Sequence, residues 1–218
     1  MNPTPDLPSR RGFCLILSSP SGAGKTTLAR RLLSADKHLR HSISVTTRAP
    51  RQSEEEGVDY FFVSRKRFEG LRDEGKLLEW AEVFGNLYGT PAEPVTQALA
   101  QGLDVIFDVD WQGAASIAAL LPGDTVRVFI LPPSAFELSR RIYARATDSN
   151  EVIEGRLKGA AIEISHWPEY DYILINHNLK ESEAALAAIL RAERHKRSRQ
   201  TGLPAFVASL TGSEASGK

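Results

Sequence analysis

The chain has a single cysteine among its 218 residues, Cys14, and a lone thiol can neither close an internal disulfide nor assemble a cysteine-based zinc site. A reducing cytoplasmic location is the expectation. Net charge is missing as well: Lys plus Arg and Asp plus Glu both number 27. No overall cationic field is therefore present to hold DNA, RNA or an acidic membrane by counterion release. Nucleic acid and membrane are not expected as partners, and any anion site must be local. Long apolar runs are also absent, since none approaches the ~20 residues that span a bilayer. Residues 1–11 carry three prolines and no apolar signal core and are expected to form a disordered lead. There is no internal repeat and no low-complexity tract, so one compact unit is expected.

Short apolar runs punctuated by helical patterns are what the chain does contain. Phe13 to Leu17, Val105 to Asp108, Val126 to Leu131 and Tyr172 to Ile175 read as buried strands, each followed by a segment of helical composition. Alternating strand and helix predicts an α/β fold with a mainly parallel sheet flanked by helices. Two stretches break the rhythm. From about 41 to 91, short β-like pieces (Tyr60 to Val63, Leu77 to Val83) flank a charged helical segment, Arg65 to Glu74, and read as an inserted subdomain. From 134 to 167, Ser134 with Glu137, and Asp148 with Glu151, have capping-box spacing; two consecutive helices there suit a lid. The core is then about 12–40, 92–133 and 168–201, closed by a helix from about Glu181 with a basic end through Arg199 and followed by a flexible tail, 202–218.

The strongest chemical signal is Ser19-Pro20-Ser21-Gly22-Ala23-Gly24-Lys25-Thr26, between a strand and a helix. Glycines at 22 and 24 let the backbone curl so that several N–H groups face one anion, and the helix N-terminus adds positive potential. Lys25 reaches outer phosphates and Thr26 offers a hydroxyl to magnesium. Ser19 stands where the usual pattern has its first glycine. Asp108 and Asp110, at the end of a buried strand, are placed to hold magnesium directly or through water; Asp110 also suits a helix cap.

Ser44 to Arg51 packs two guanidinium groups and three hydroxyls into eight residues, a composition suited to a second phosphate or to a solvated basic loop. Arg141 and Arg145 fall four apart on one helix, with Arg156 on the next, where mobile cations could close over phosphates. Trp80, Trp111 and Trp167 read as packing residues.

In order, S-P-S-G-A-G-K-T, S-V-T-T-R-A-P-R, E-G-V-D-Y-F-F-V, L-E-W-A, N-L-Y-G-T and D-V-D-W-Q-G resemble the motif series of guanylate kinases, P-loop nucleoside monophosphate kinases, from about Phe13 to Gln200. The resemblance implies a P-loop NTPase-type core with a GMP-binding insert and a helical ATP lid. It also implies Mg2+-dependent transfer of the γ-phosphate of ATP to GMP, and to dGMP. By the same resemblance, Ser44, Arg48, Arg51, Tyr60 and Tyr88 hold the phosphate of GMP, and Glu79 and Thr90 read its guanine. Asp108 and Asp110 lie between magnesium and the nucleoside, and Arg141, Arg145 and Arg156 clamp phosphates. Lys25, Arg51, Arg145 and Arg156 are the expected catalytic residues, and the loop from Ser19 to Thr26 with Arg141 and Asn176 the expected ATP contacts. The sequence departs from the family at His177, where an aspartate is usual, and at Ala146, where glycine is common. A kinase of a sugar phosphate would share the loop but have no use for Glu79 and Thr90. A guanylate kinase-like binding module would have lost Gly24-Lys25-Thr26. Oligomeric state is left open, a homo-oligomer included.

Overall fold

The computed structural model describes residues 9–52, 54–83, 85–145 and 150–212, with the side chains of 145, 150–154 and 156 outside that description. In chain order the elements are β1 (Cys14–Ser18), α1 (Lys25–Ala35), β2 (Leu39–His41), β3 (Val45–Thr46), β4 (Phe61–Phe62), α2 (Arg65–Asp73), β5 (Leu77–Val83) and β6 (Asn86–Pro91). They continue with α3 (Ala92–Ala100), β7 (Asp104–Asp108), α4 (Trp111–Leu120), β8 (Thr125–Leu131), α5 (Ala135–Arg145), α6 (Asn150–Ser165), β9 (Tyr172–Ile175), α7 (Leu179–Arg194) and α8 (Leu203–Thr211).

Five strands form a wholly parallel sheet in the order β2-β7-β1-β8-β9. β1 lies at its centre, and all five of its residues are buried. Alternation sends its side chains to two cores. Leu15 and Leu17 join Leu28, Leu32, Leu186 and Leu190 from α1 and α7, while Cys14 and Ile16 join Val95, Leu99, Ala114 and Ile117 from α3 and α4. A strand covered on both faces must be apolar throughout, which is why it reads as a run rather than as an alternation. Burial pushes the Cys14 thiol up to about 12, so it is an inert core residue.

The parallel sheet brings the ends of β1 and β7, and the loops that follow them, to one edge, the usual place for a ligand in such folds. A second sheet, ordered β4-β3-β6-β5, stands between β2 and α3 in the chain and packs Val45 and Leu87 against Phe68 of α2. In it β3 pairs with β6 and β6 with β5, both antiparallel. After β8, α5 and α6 pack on one another through Leu138, Ile142 and Ala160.

The observed elements differ from the sequence reading in several places. The expected flexible tail from 202 instead forms α8 over Leu203–Thr211, and the Gly202 N–H donates to the Ser9 carbonyl at 2.8 Å. Part of the expected disordered lead is ordered for the same reason. Residues 9–11 are tied down by Arg10 on Asp104 and Arg11 on Asp124; residues 1–8 and 213–218 lie outside the described set. Strand β2 went unread because Arg40 and His41 make it polar, and β6 because its asparagine, glycine and proline are turn residues by composition. Helix α7 ends at Arg194, and Arg197–Arg199 form a separate 3-10 turn.

Candidate active site

The loop between β1 and α1 has the geometry of an anion cradle. Gly22 and Gly24 sit at φ +91° and +97°, the left-handed region that side chains other than glycine's avoid. At Gly24 space is also limiting, because a Cβ would stand 2.5 Å from Nδ2 of Asn176. Gly24 caps α1, whose first turn carries no acidic residue, so the positive end of the helix is uncompensated by its own side chains. Lys25 pairs with Asp108 (Nζ to Oδ1, 2.6 Å) and donates to the Val109 carbonyl at 3.1 Å. The Thr26 hydroxyl donates to the other oxygen of Asp108 at 2.8 Å. The loop encloses a cavity of about 290 Å3 lined by Ser19 to Ser21, Gly22, Gly24 to Thr27, Asp108 and Glu163.

Asn176, expected at the base of ATP, has a different visible job. It is buried; its amide donates to the Ala23 carbonyl at 2.8 Å, and its oxygen accepts from the Ser182 hydroxyl at 2.9 Å. It buttresses the loop from β9. His177 beside it is exposed and pairs with Glu181 at 2.8 Å. Asp110 caps α4 by accepting from the Gly113 N–H at 2.9 Å, so the structural alternative for that residue is realised.

A second cavity, of about 150 Å3, opens between the two sheets and is lined by Ser44, Tyr60 and Thr90 on one side and Asp108 on the other, with His41 and Asp59 completing it. Cross-strand register explains the grouping. Glu79 of β5 lies opposite Thr90 of β6, and the Thr90 hydroxyl donates to Glu79 Oε1 at 2.7 Å. Burial, opposed by that hydrogen bond and reinforced by the charge of Asp110, raises the Glu79 carboxyl above its ordinary range. Tyr88, opposite Thr46 on β3, meets the Tyr60 ring edge-on with centroids 6.0 Å apart. The Arg48 guanidinium stands 5.5 Å from the Tyr60 ring centroid and is held by both oxygens of Glu54 at 2.7 and 2.9 Å. Glu54 also accepts from the Arg51 N–H at 2.8 Å, while Arg51 itself is exposed. The ion pair raises Arg48 and lowers Glu54, so both stay charged at any physiological pH.

Helix α5 leans on the phosphate loop. A Cβ at Gly22 would stand 3.5 Å from Cβ of Arg141 and 3.6 Å from Ile142. The Ser134 hydroxyl accepts from the Glu137 N–H at 3.1 Å, one half of the expected capping box. The Glu137 carboxylate turns instead to Arg140 and Arg141, which hold it down to about 2. Arg145 and Arg156 belong to α5 and α6, but their side chains, together with Ala146 and the cap expected at Asp148, lie outside the described residues. Of the tryptophans, Trp111 stacks on His166 with ring centroids 3.6 Å apart. Trp80 and Trp167 are about half exposed rather than packed.

Sequence reasoning missed Glu54 and Glu163, each a carboxylate facing a cation or an N–H of the site, and gave Glu137 a capping role where its carboxylate instead holds Arg140 and Arg141. Glu54 opens an acidic run that reads as solvated surface, and no local pattern separates it from Glu55 and Glu56. Glu163 is four residues from Gly159 on an unremarkable helix; only the fold brings it to the loop, where it accepts from the Ser21 N–H at 3.2 Å.

A phosphate loop and a second, polar cavity that share Asp108 suit the transfer of a phosphoryl group between two bound molecules. Comparison with known proteins gives the arrangement its relatives. The guanylate kinase family model matches residues 11–193. The guanylate kinase of Rhizobium etli is 53% identical over 202 residues, covering 93% of this chain and 92% of the relative. That of Agrobacterium fabrum is 51% identical over 210 residues, 96% of each. The crystal structure of guanylate kinase from Anaplasma phagocytophilum superposes with a TM-score of 0.75 at 40% identity, covering 95% of this chain and 99% of that one. A family match across most of the chain, on a fold that sets a phosphate loop beside a carboxylate-lined cavity, makes this protein a member of the guanylate kinase family.

Proposed function

We infer that the protein transfers the γ-phosphoryl group of ATP to GMP, giving ADP and GDP, and that dGMP serves as well, because no residue of the acceptor cavity is committed to a ribose 2′-hydroxyl. The observation that carries this reading is the position of Asp108, which lines the phosphate-loop cavity on one side and the Ser44–Tyr60–Thr90 cavity on the other. Phosphoryl transfer asks for alignment of donor and acceptor oxygens and for neutralisation of spreading negative charge more than for a proton-shuttling base. Lys25 and the loop N–H groups supply the donor side. Ser44, Arg48 and Arg51 with Tyr60 and Tyr88 hold the phosphate of the acceptor, and Arg141, Arg145 and Arg156 come from the helical pair.

Glu79 sets the base preference. Guanine presents N1–H and its exocyclic amine side by side, and each oxygen of a carboxylate has two acceptor positions, so the Thr90 bond leaves capacity on both. Adenine has an acceptor at N1 and would leave Glu79 mismatched. Magnesium fits the donor set: the Thr26 hydroxyl and Asp108 carboxylate, 2.8 Å apart, are hard oxygen ligands of the type that holds Mg2+ together with phosphate oxygens and water. When bound, the ion neutralises phosphate charge. The role proposed is in guanine nucleotide metabolism in the cytoplasm, and no described helix is long and apolar enough to cross a membrane.

A coupled ADP-release assay with ATP and magnesium tests this, offering GMP, dGMP, AMP, CMP, UMP and a ribose bisphosphate in parallel. Turnover with GMP and dGMP that is lost in Glu79→Ala is the expected result. Turnover with the ribose bisphosphate alone, or with no acceptor, would overturn the reading.

A further inference from the structure

Of the carboxylates around the phosphate loop, Glu163 is the one whose position the reaction does not explain. It comes from α6, near the end of the helical pair, and reaches over to the loop, where Oε2 accepts from the Ser21 backbone N–H at 3.2 Å. It lines the same cavity as Gly22, Gly24 and Lys25. Burial raises its carboxyl above the ordinary glutamate range, a shift that Asp110 reinforces and that the Ser21 hydrogen bond and the charge of Lys25 oppose. The Ser21 N–H is one of the donors that the curled loop turns toward an anion, and Lys25 is another. Both are engaged by side-chain carboxylates, the first by Glu163 and the second by Asp108. A phosphate oxygen seeking the Ser21 N–H meets a negative group already bonded there, and two anions cannot share that donor without repulsion.

We propose that Glu163 is an internal stand-in for phosphate: its carboxylate competes with the nucleotide for the loop, and nucleotide entry must displace it. The idea rests on the phosphate-loop reading above and adds an intramolecular competitor to it. Two consequences follow from the fold. Displacing Glu163 uncouples the end of α6 from the loop, so binding at the loop is linked to the placement of the helices that carry Arg141, Arg145 and Arg156. The same end of α6 leads directly into His166, whose ring lies on Trp111, which sets an indole reporter beside the contact.

The test is calorimetric titration of the full chain with MgATP and, separately, with inorganic tripolyphosphate, both without GMP. Glu163→Gln removes the charge and keeps the side-chain length. Glu93→Gln removes the same charge from an exposed residue of α3 and serves as control. Glu163→Gln is expected to bind both probes roughly three- to ten-fold more tightly, the scale of one partly screened charge against a multivalent anion, while Glu93→Gln binds as the parent does. Tryptophan emission in a Trp80→Phe, Trp167→Phe background should change when tripolyphosphate binds, through Trp111 alone. Should Glu163→Gln fail to fold, Glu163→Asp withdraws the carboxylate from Ser21 by one methylene, and tighter binding is again expected. Equal or weaker binding by the folded variant would overturn the proposal. Failure of the parent itself to bind either probe would instead overturn the phosphate-loop reading on which it rests.

Discussion

The two ends of the parallel sheet are both crowded with charge, and they use it in opposite ways. At the strand starts, Asp104 is fully buried and saturated: Arg10 bonds it at 2.7 and 3.0 Å, Arg194 at 2.6 Å and the Phe13 N–H at 3.2 Å. Nearby, Glu193 is also buried and accepts from Tyr172 at 2.7 Å while pairing with Lys196 and Arg199. At the strand ends, Lys25 pairs with Asp108 and Ser21 with Glu163, and beyond them, in the loop after β3 of the second sheet, Arg48 pairs with Glu54; each of these pairs borders a cavity or an exposed loop. The first set is closed in that its two carboxylates are buried and bonded by several groups of the chain at once, although Nη2 of Arg194 and Nε of Arg199 are left without a partner among the described residues. The second is exchangeable, because a phosphate can take the place of a carboxylate. Burying charge is tolerable only when it is paired, so a fold that needs open cations at one end also needs carboxylates to hold them until phosphate arrives.

Breaking the closed end should therefore cost stability and spare catalysis. Asp104→Ala strands Arg10 and Arg194 without their shared partner, and removal of one member of a buried network costs about 3–5 kcal/mol. Thermal and urea unfolding should register that loss, while kcat of the protein still folded stays at its parent value. Lys25→Met is the mirror case. Turnover should fall on the order of 10²–10³-fold, as for loss of one preorganised group that stabilises transition-state charge, with little change in melting temperature. A Lys25 variant that melted like the Asp104 one would remove the distinction between the two ends.

How much of this was legible in the sequence follows the same division. The phosphate loop is local: glycines, lysine and threonine sit within a few residues of each other, and their physics depends only on the strand before and the helix after. Asp108 was legible from its place at the end of a buried strand, and Glu79 and Thr90 through the motif series; the cross-strand register then supplied the reason for the pairing of the last two. The carboxylates that hold the site's cations and donors are not local. Arg48 and Glu54 are joined by a loop with no pattern, and Glu163 is 142 residues from Ser21. The order of residues 9–11 and 202–211 was hidden for the same reason. Arg10 meets Asp104, and Ser9 meets Gly202, across distances over which composition carries no signal, so segments that look loose in sequence are stitched together in the fold.

Glu79 sits between the two regimes, half-buried and bonded to Thr90, which lines the acceptor cavity. Its raised carboxyl means that the ionised form is disfavoured by the fold, so at neutral pH the folded protein bears a penalty that disappears as pH falls through the raised value. Glu79→Gln should accordingly raise the melting temperature at pH 7 and leave it unchanged in acid. Function should move the other way. Loss of a charged acceptor for two guanine donors lowers kcat/KM for GMP by about 10- to 100-fold. In the parent enzyme KM for GMP should begin to climb, as pH is lowered, sooner than an ordinary glutamate would allow; in the variant that acid limb should vanish.

The smallest expected effect concerns Glu54, which makes no contact of its own in the acceptor cavity. Its carboxylate grips Arg48 and the Arg51 backbone, so it fixes the guanidinium over the Tyr60 ring where a phosphate would meet it. Two effects of replacing it oppose each other. Glu54→Gln frees Arg48 to wander, which weakens phosphate binding, yet it also removes a negative charge near an incoming anion, which strengthens it. The pair is part-buried, and because the two effects oppose each other the net change in KM for GMP should be within about two- to five-fold, with kcat unaltered. Ionic strength separates the two contributions, since salt screens charge and leaves geometry alone. A rise in KM that persists at high salt means that positioning dominates at this part-buried pair, as it does at the closed end. A fall that salt abolishes means that Glu54, like Glu163, is chiefly a competitor for phosphate.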